Sequence, residues 1–307
     1  MKTIIINEND SGQRVDKFLG KFLPDMPKSL LYKALRKKRV KLGKKALAAQ
    51  DILHTGDELN LYINDEFFTG RRTVPSKDAQ AAAVSVAYED ENVLVVCKPV
   101  GQTAHDGADS LLAAVLQYVT QSGAYDPARE HSFVPALSNR LDRNTSGLVL
   151  VGKNAAAQRA LNAAVKCGAV TKTYLCLAEG HFKEKAGRLE NELKSSEREN
   201  RVSVVPSGTK GAKHAVLTYR VLEEKGDLSR VEVTLLTGRK HQIRVQLAHI
   251  GHPLAGDVKY GAPHRAGFRY QALCAYRLDF HDIEEDSVLA YLNGKSVCTE
   301  PQLPTIG

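Results

Sequence analysis

The apolar positions of the first 65 residues change from a helical to an alternating pattern. The spacing i, i+3, i+4, i+7, which predicts one face of an amphipathic helix, is occupied by Val15, Phe18, Leu19 and Phe22. A second helix is predicted from about Pro27, and the alternation of apolar and polar residues over 59–63 predicts a strand. Residues 1–65 are therefore predicted to form a small α/β domain.

Longer apolar runs follow in the rest of the chain. Two of them, 84–88 and 93–97, flank a polar turn and predict a pair of strands. Four consecutive apolar residues, 148–151, predict a strand that is buried on both faces. The pair Asp109-Ser110 and the single residue Asn154 each precede a stretch of helical pattern, and we predict that each provides an N-cap.

The second half of the chain predicts further strands at 174–178, 215–222 and 229–236. Between the first two of these, residues 189–213 are polar and have no clear period. We interpret this segment as a mobile insertion.

Residues 66–83 consist of turn-forming and charged types, which predict a linker. The chain is thus divided into a domain of residues 1–65, this linker, and a larger domain of residues 84–307. With 307 residues the protein is long enough for two domains, or for one large domain with an appendage, and with 43% hydrophobic residues it can bury a sizeable core.

Positive charge is concentrated in the small domain. The chain has a formal net charge of +8, and residues 33–45 hold eight basic residues and no acid. Such a run favours contact with a nucleic-acid phosphate backbone, although a solvated helix face is the alternative. The candidates for phosphate contact are Lys28, Arg36, Lys37, Lys38, Arg39 and Lys41.

Several classes of protein are disfavoured. The five cysteines form no C-x-x-C pair, which argues against a zinc site or a disulfide framework. The apolar N-terminal stretch is too short for a signal peptide, and no run is long enough for a membrane helix. No dinucleotide or P-loop motif is present. We therefore expect a cytoplasmic protein that contacts no membrane and needs neither a metal nor a nucleotide cofactor.

The segment N-R-L-D-R-N-T-S-G, residues 139–147, directly precedes the predicted buried strand. It places one carboxylate, Asp142, between Arg140 and Arg143. A loop anchored to a buried strand is a common location for catalytic side chains. A salt bridge or a turn cap is the alternative for an isolated R-L-D.

A second polar motif, T-G-R-K-H-Q-I-R, occupies residues 237–244 at the start of a predicted helix. Its Arg239, Lys240, His241 and Arg244 suit the binding of phosphate, because helix N-termini and arginines both favour anions. Lys98, at the end of the predicted strand 93–97, is a further candidate for RNA contact.

These motifs resemble those of the RluA-type pseudouridine synthases. Residues 139–148 are similar to the signature H-R-L-D-x-x-T-S-G-L, with Asn139 in place of the histidine. Residues 237–244 resemble T-G-R-x-H-Q-I-R, residues 172–174 resemble K-x-Y, and residues 251–261 resemble a G-H-P-(I/L)-x-G-D-x-x-Y-G element. Residues 13–63 resemble the alpha-L RNA-binding domain.

The resemblance implies a role for each of four residues. Asp142 would be the catalytic nucleophile, and Arg244 would pair with it and favour its ionised form. Tyr174 would pack against the target base, and Arg140 would fill the space that the base leaves in the RNA. The implied fold is α+β, with a mixed, mostly antiparallel central sheet preceded by the small RNA-binding domain.

The function that the resemblance implies is conversion of uridines in structured RNA to pseudouridine, without a cofactor and as a monomer. Large-subunit ribosomal RNA is favoured over transfer RNA because of the appended basic domain. The alternatives are transfer RNA as the target of the same chemistry and a non-catalytic RNA-binding or ribosome-assembly protein. Whether the aspartate attacks the sugar or assists formation of a glycal is left open.

Overall fold

The computed structural model describes residues 1–68 and 83–304 of the chain. These residues divide into two compact units. The first contains the described residues up to 68, together with Val115–Ala136 and Lys153–Gln158. The second contains the remaining described residues.

The small N-terminal domain is built from two helices and a short sheet, as its sequence pattern predicted. Its elements are β1 (Lys2–Ile5), α1 (Val15–Phe22), α2 (Lys28–Arg36), β2 (Val40–Leu42), β3 (Lys45–Ala46) and β4 (Glu58–Leu61). The strands pair in the order β1-β4-β2-β3, and each pairing is antiparallel. The first strand was not predicted.

The core of this domain consists of the apolar face of α1 packed beside α2 and the sheet. Phe18, Leu19 and Leu23 are completely buried, which confirms the predicted amphipathic helix. A 3₁₀ turn over Asp65–Phe68 adds Phe67 and Phe68 to the same core. The predicted linker, residues 66–83, otherwise lies almost wholly outside the described residues.

The elements of the described residues 83–304 follow in chain order. They are β5 (Ser85–Glu89), β6 (Val93–Lys98), α3 (Leu111–Gln121), β7 (Ser146–Gly152), α4 (Ala155–Cys167), β8 (Val170–Glu179), β9 (Ala186–Ser196), β10 (Arg201–Val205), β11 (Lys213–Lys225), β12 (Leu228–Leu235), α5 (Gln242–His249), β13 (Leu273–Phe280) and β14 (Ser296–Cys298). The two predicted N-caps are confirmed, since Ser110 Oγ and Asn154 Oδ1 accept backbone N–H groups at 3.2 and 2.8 Å.

Over the described residues the central sheet has ten strands in the order β10-β9-β11-β12-β8-β13-β7-β6-β5, with β14 paired to β13. The pairing of β13 with β7 is parallel, and the other strand pairs in this part of the chain are antiparallel. The predicted mixed, mostly antiparallel sheet is thus confirmed.

Strand β7 is buried along its whole length, as the four apolar residues predicted. Gly147 within it has a φ of 119°, and its Cα faces the backbone of Ala275 on β13. A side chain at this position would overlap the carbonyl group of Ala275, so the parallel pairing requires glycine here.

The prediction of a mobile insertion over residues 189–213 is wrong. Most of this segment forms the antiparallel hairpin of β9 and β10, and β9 also pairs with β11. Alternate residues of β9 face outward, including Arg188, Glu190 and Lys194, while Leu193 is buried. Charges on one face of the strand obscured its period of two in the sequence.

In the described part of the chain, no helix has the length and hydrophobicity needed to span a membrane.

Candidate active site

Asp142 lies in a loop that is fastened to β7 by the side chain of Asn139. The Asn139 Oδ1 atom accepts the N–H of Leu150 at 2.8 Å, and its Nδ2 donates to the carbonyl of Leu148 at 3.2 Å. The N–H of Thr145 donates to the carbonyl of Asp142 at 3.0 Å and closes a turn. Asn139, which stands where the resembling signature has histidine, therefore positions the loop.

Lys98 also binds the loop of Asp142, through the carbonyl of Arg143. The prediction that Lys98 contacts RNA is therefore corrected. Its side chain is buried, with the residue 1% exposed. Its Nζ donates to the carbonyls of Pro99, Gln102 and Arg143 at 2.8, 2.9 and 3.0 Å. Burial lowers the pKa of Lys98 to about 8, although the charge of Asp142 acts in the opposite direction. An ammonium enclosed by three carbonyls stabilises the loop and cannot reach RNA.

Arg244 on α5 connects two carboxylates. Its Nη1 donates to Asp142 Oδ2 at 3.1 Å, and its Nε and Nη2 donate to the two oxygens of Asp257 at 2.6 and 2.8 Å. The side chains of Arg244 and Asp257 are 8% and 1% exposed, whereas that of Asp142 is 29% exposed. The pairing that the sequence motifs implied is thus present, and the carboxylate of Asp142 is the one that solvent can reach.

The negative charges of Asp257 and Asp142 favour the ionised guanidinium of Arg244. Burial by itself would lower the pKa of Arg244, but the hydrogen bonds and charge of Asp257, with the charge of Asp142, raise it overall. A permanent cation therefore lies beside Asp142. Such preorganised charge stabilises an anionic carboxylate without requiring water to reorient.

His241 also lies beside the Asp142 carboxylate. Its Nε2 is 3.7 Å from Asp142 Oδ2, and its Nδ1 is 2.8 Å from the hydroxyl of Tyr260. The predicted phosphate-binding role would require an exposed ring, but this side chain is only 7% exposed. Burial, followed by the nearby cations, lowers the pKa of His241 to about 4 despite the charge of Asp142.

Tyr174 enters the site from β8. The residue is 6% exposed, and burial raises its pKa, with a smaller contribution from the negative charge of Asp142. The phenol is therefore protonated at neutral pH. It presents a ring and a hydroxyl to the site instead of a phenolate.

A cavity of about 60 Å³ lies among these side chains. This is room for a few water molecules. The polar and charged residues that line it are Arg140, Asp142, Thr145, Tyr174, Arg239, His241, Gln242 and Arg244. In the described part of the chain, no cluster of three or more His, Cys, Asp or Glu side chains is arranged to hold a metal ion.

Two exposed arginines lie at the edge of this cavity. Arg140 has an exposed side chain and no hydrogen-bond partner among the described residues. Arg239 is also exposed, and its Nε donates to the carbonyl of His214 at 2.9 Å. Both positive charges are thus available to a polyanion at the entrance to the site.

The predicted RNA-binding residues of the small domain lie at its surface. Lys28, Arg36, Lys37, Lys38 and Arg39 are exposed, and Lys41 is half-buried with its Nζ 5.3 Å from the ring centre of Tyr62.

A cavity of about 220 Å³ lies beside part of this basic surface. Its cationic lining comes from Lys33, Lys37 and Arg39. The small domain by itself therefore presents a concave basic surface.

Sequence reasoning did not assign roles to Asp257 and Tyr260. Both belong to the G-H-P-L-A-G-D-V-K-Y-G segment, which sequence pattern alone marked as an ordered turn. Asp257 is 2% exposed and Tyr260 is 7% exposed. An acid and a tyrosine placed between glycines were the available signal, but their partners on α5 could not be deduced from spacing.

Comparison with known proteins shows which family the chain resembles. Residues 92–249 match the family described as RNA pseudouridylate synthase. The ribosomal large subunit pseudouridine synthase C of Vibrio cholerae is 33% identical over 262 residues, which cover 84% of this chain and 80% of that protein. The Escherichia coli protein of the same name is 33% identical over 268 residues, with 85% and 80% covered.

A solved structure has the same fold. It is named Human RNA Pseudouridylate Synthase Domain Containing 1 and superposes with a TM-score of 0.56 at 25% identity, covering 73% of this chain and 86% of that chain. The family match includes the loop of Asp142 and the helix of Arg244. The resemblance that the sequence motifs indicated is therefore confirmed, and this chain belongs to the RNA pseudouridylate synthase family.

Proposed function

We propose that this protein converts uridine to pseudouridine in ribosomal RNA of the large subunit, with Asp142 as the catalytic carboxylate. The observation that carries the proposal is the contact of Asp142 with Arg244 at 3.1 Å, at a cavity that also includes Tyr174. The relatives from Vibrio cholerae and Escherichia coli, named as synthases acting on the large ribosomal subunit, support the choice of RNA.

The proposed chemistry is an isomerisation that adds and removes no atoms overall. The bond between N1 of uracil and C1′ of the ribose breaks, the base turns, and a bond forms between C5 and C1′. The proton on C5 leaves, and N1 gains one. Asp142 acts either by attack on C1′ or by taking a proton from the sugar to give a glycal, and Arg244 contacts its carboxylate in a position that serves either route.

Base access is the second part of the proposal. A uracil stacked within RNA cannot reach Asp142, so it must be flipped out at a cost of a few kcal/mol. The exposed side chain of Arg140 at the edge of the cavity is suited to occupy the vacated position in the RNA. Tyr174 then offers its ring for packing against the flipped base.

Binding of the RNA is assigned mainly to phosphate contacts. The exposed basic residues of the small domain, together with Arg239 at the active site, supply the cations. Such contacts fix the position of the RNA without reading its sequence. Arg244 and Tyr174 reach the site of Asp142 within a single chain, and we propose that the protein acts as a monomer in the cytoplasm.

The test uses Asp142→Asn with RNA labelled by tritium at C5 of uridine. Pseudouridine formation releases that tritium, so the wild-type protein is expected to release it from large-subunit ribosomal RNA that lacks the modification. The variant is expected to release none while it binds the RNA with a similar Kd. Release by the variant, or none by the wild-type protein on any RNA, would contradict the proposal.

Transfer RNA serves as the second substrate in the same assay. Release from transfer RNA alone would retain the chemistry and reject the proposed target. Binding of ribosomal RNA without release from either substrate would instead favour the non-catalytic RNA-binding alternative.

A further inference from the structure

His241 occupies an unusual backbone position beside the reactive carboxylate. It precedes the first residue of α5 with φ of 54° and ψ of 20°, the left-handed region that residues other than glycine seldom adopt. A conformation of this kind persists only where the surroundings impose it. Here it directs the ring inward, between Tyr260 and Asp142.

The hydrogen bonds of Tyr260 determine which nitrogen of His241 carries the proton. The Tyr260 hydroxyl accepts the N–H of Val202 at 3.0 Å, and its only other hydrogen-bond neighbour among the described residues is His241 Nδ1. Burial raises the pKa of Tyr260, so the phenol keeps its proton. We assign that proton to Nδ1, the remaining partner of the hydroxyl among the described residues, and this assignment leaves Nδ1 unprotonated.

A neutral ring that accepts at Nδ1 must carry its hydrogen on Nε2. The lowered pKa of His241 keeps the ring neutral at physiological pH. The Nε2–H therefore faces Asp142 Oδ2, from which it is separated by 3.7 Å. This distance is too long for a hydrogen bond in the free protein. Catalytic contacts are often loose until substrate is bound.

The two donors at Asp142 approach the same oxygen. Arg244 Nη1 contacts Oδ2 at 3.1 Å, and His241 Nε2 faces that atom as well. Among the described residues, no group donates to Oδ1. One carboxylate oxygen is thus flanked by donors, and the other is left for the substrate.

We propose that His241 is a positioning residue whose Nε2–H, fixed by Tyr260, closes onto Oδ2 of Asp142 when RNA binds and leaves Oδ1 as the reacting oxygen. A neutral donor orients the carboxylate while holding it less strongly than a second cation would. The catalytic part of this inference rests on the proposed function. The protonation of the ring does not, because it follows from contacts within the free protein.

Two substitutions of His241 distinguish the roles of its two ring nitrogens, Nδ1 and Nε2. In His241→Asn the amide reaches only the position of Nδ1, and asparagine tolerates the left-handed backbone. In His241→Gln the longer side chain can place an N–H near the position of Nε2. Single-turnover release of tritium is then measured with enzyme in excess over the C5-labelled RNA. The rate at saturating enzyme reports the reaction, and the dependence of the rate on enzyme concentration reports the Kd for RNA.

We expect His241→Asn to lower the single-turnover rate by up to about 100-fold, the effect of misplacing a catalytic group by about 1 Å. The Kd for RNA should stay within about twofold, whereas loss of a phosphate contact would weaken binding instead. His241→Gln should recover most of the rate. Full activity of the Asn variant, equal loss in both variants with unchanged folding, or an effect on Kd alone would overturn the proposal.

Nitrogen-15 NMR of the histidine rings tests the inference without RNA. The protein contains ten histidines, and the His241 signal is assigned by its absence from the His241→Asn spectrum. At pH 7 we expect the Nε2–H tautomer, with a shift toward the Nδ1–H form in Tyr260→Phe. An Nδ1–H tautomer in the wild-type protein would overturn the inference even if the enzyme is active. The expected tautomer in a protein that modifies no RNA would instead reject only the proposed function.

Discussion

Arg244 and Asp257 form a bidentate ion pair, with N–O distances of 2.6 and 2.8 Å, in which both side chains are buried. The pair fixes the guanidinium so that its remaining nitrogen, Nη1, faces Asp142. A planar guanidinium can serve two carboxylates in this way, whereas the single ammonium of lysine cannot reproduce the geometry. Asp257 thereby acts on Asp142 through Arg244.

Asp257→Ala should therefore reduce both stability and activity. Removal of one partner from a buried pair leaves the other charge without compensation and costs about 3–5 kcal/mol. Misplacement of the guanidinium by about 1 Å would lower the rate about 100-fold. Denaturant unfolding and single-turnover kinetics measure the two effects.

The matched control for this substitution is Asp227→Ala. Asp227 also pairs with an arginine, Arg265, but its side chain is 71% exposed. We expect a much smaller loss of stability and no loss of rate. Similar losses in both variants would contradict the assigned role of Asp257.

Lys98→Met should destabilise the loop of Asp142 although Lys98 does not contact RNA. The substitution removes the donor for three carbonyls, and each buried acceptor left unpaired costs about 1–3 kcal/mol. Lys183→Met, at an exposed position, should change stability by no more than about 0.5 kcal/mol. A Lys98→Met protein with wild-type stability but weakened RNA binding would instead support the prediction from sequence that Lys98 contacts RNA.

The pH dependence of stability gives a separate test of the buried ammonium. The pKa of Lys98 in the folded protein is about 8, below its ordinary value of 10.5. Between these two values the unfolded chain binds more protons at this residue, so its contribution to the free energy of unfolding rises with pH. The stability of the wild-type protein relative to Lys98→Met should therefore increase from pH 8 to about 10. A decrease over this range would be the contrary result.

Gly147→Ala should destabilise the parallel pairing of β7 and β13. The new methyl group would meet the backbone of Ala275, in addition to the strain of a positive φ. Gly123→Ala is the control, because its φ of 78° is also positive but its surroundings are empty. We expect Gly147→Ala to cost about 1–3 kcal/mol more than the control in thermal or denaturant unfolding. Equal effects would show that backbone strain alone requires Gly147.

The basic surface of the small domain should determine much of the salt dependence of RNA binding. Replacement of Lys33, Lys37 and Arg39 by glutamine removes three cations that line one cavity. If each contacts a phosphate, the slope of log K against log salt concentration should fall in magnitude by about 2–3. Filter binding at several salt concentrations measures the slope.

The control for charge alone replaces three exposed lysines of the second unit, Lys183, Lys210 and Lys225. The net charge changes by the same amount, but we expect a smaller change in slope. An equal change would mean that overall charge, and not this surface, attracts the RNA.

Two local elements, one in each compact unit, could be predicted from sequence. The helical spacing of Val15, Phe18, Leu19 and Phe22 identified α1, and four consecutive apolar residues identified β7. These predictions succeeded because the spacing of apolar residues is a property of a short segment. The β9–β10 hairpin was missed, because charged residues on its outward face resembled an irregular polar segment.

The sequence determined which side chains were available near the reaction: an aspartate before a buried strand, an arginine on a later helix, and a tyrosine in a strand. Only the tertiary structure decided how they are used. Asp142 and Arg244 are 102 residues apart in the chain, and it is the packing of the sheet and α5 that brings them within 3.1 Å. The same packing buries Lys98 and pairs Asp257 with Arg244. Burial and hydrogen-bond partners depend on distant segments meeting, which no local pattern records.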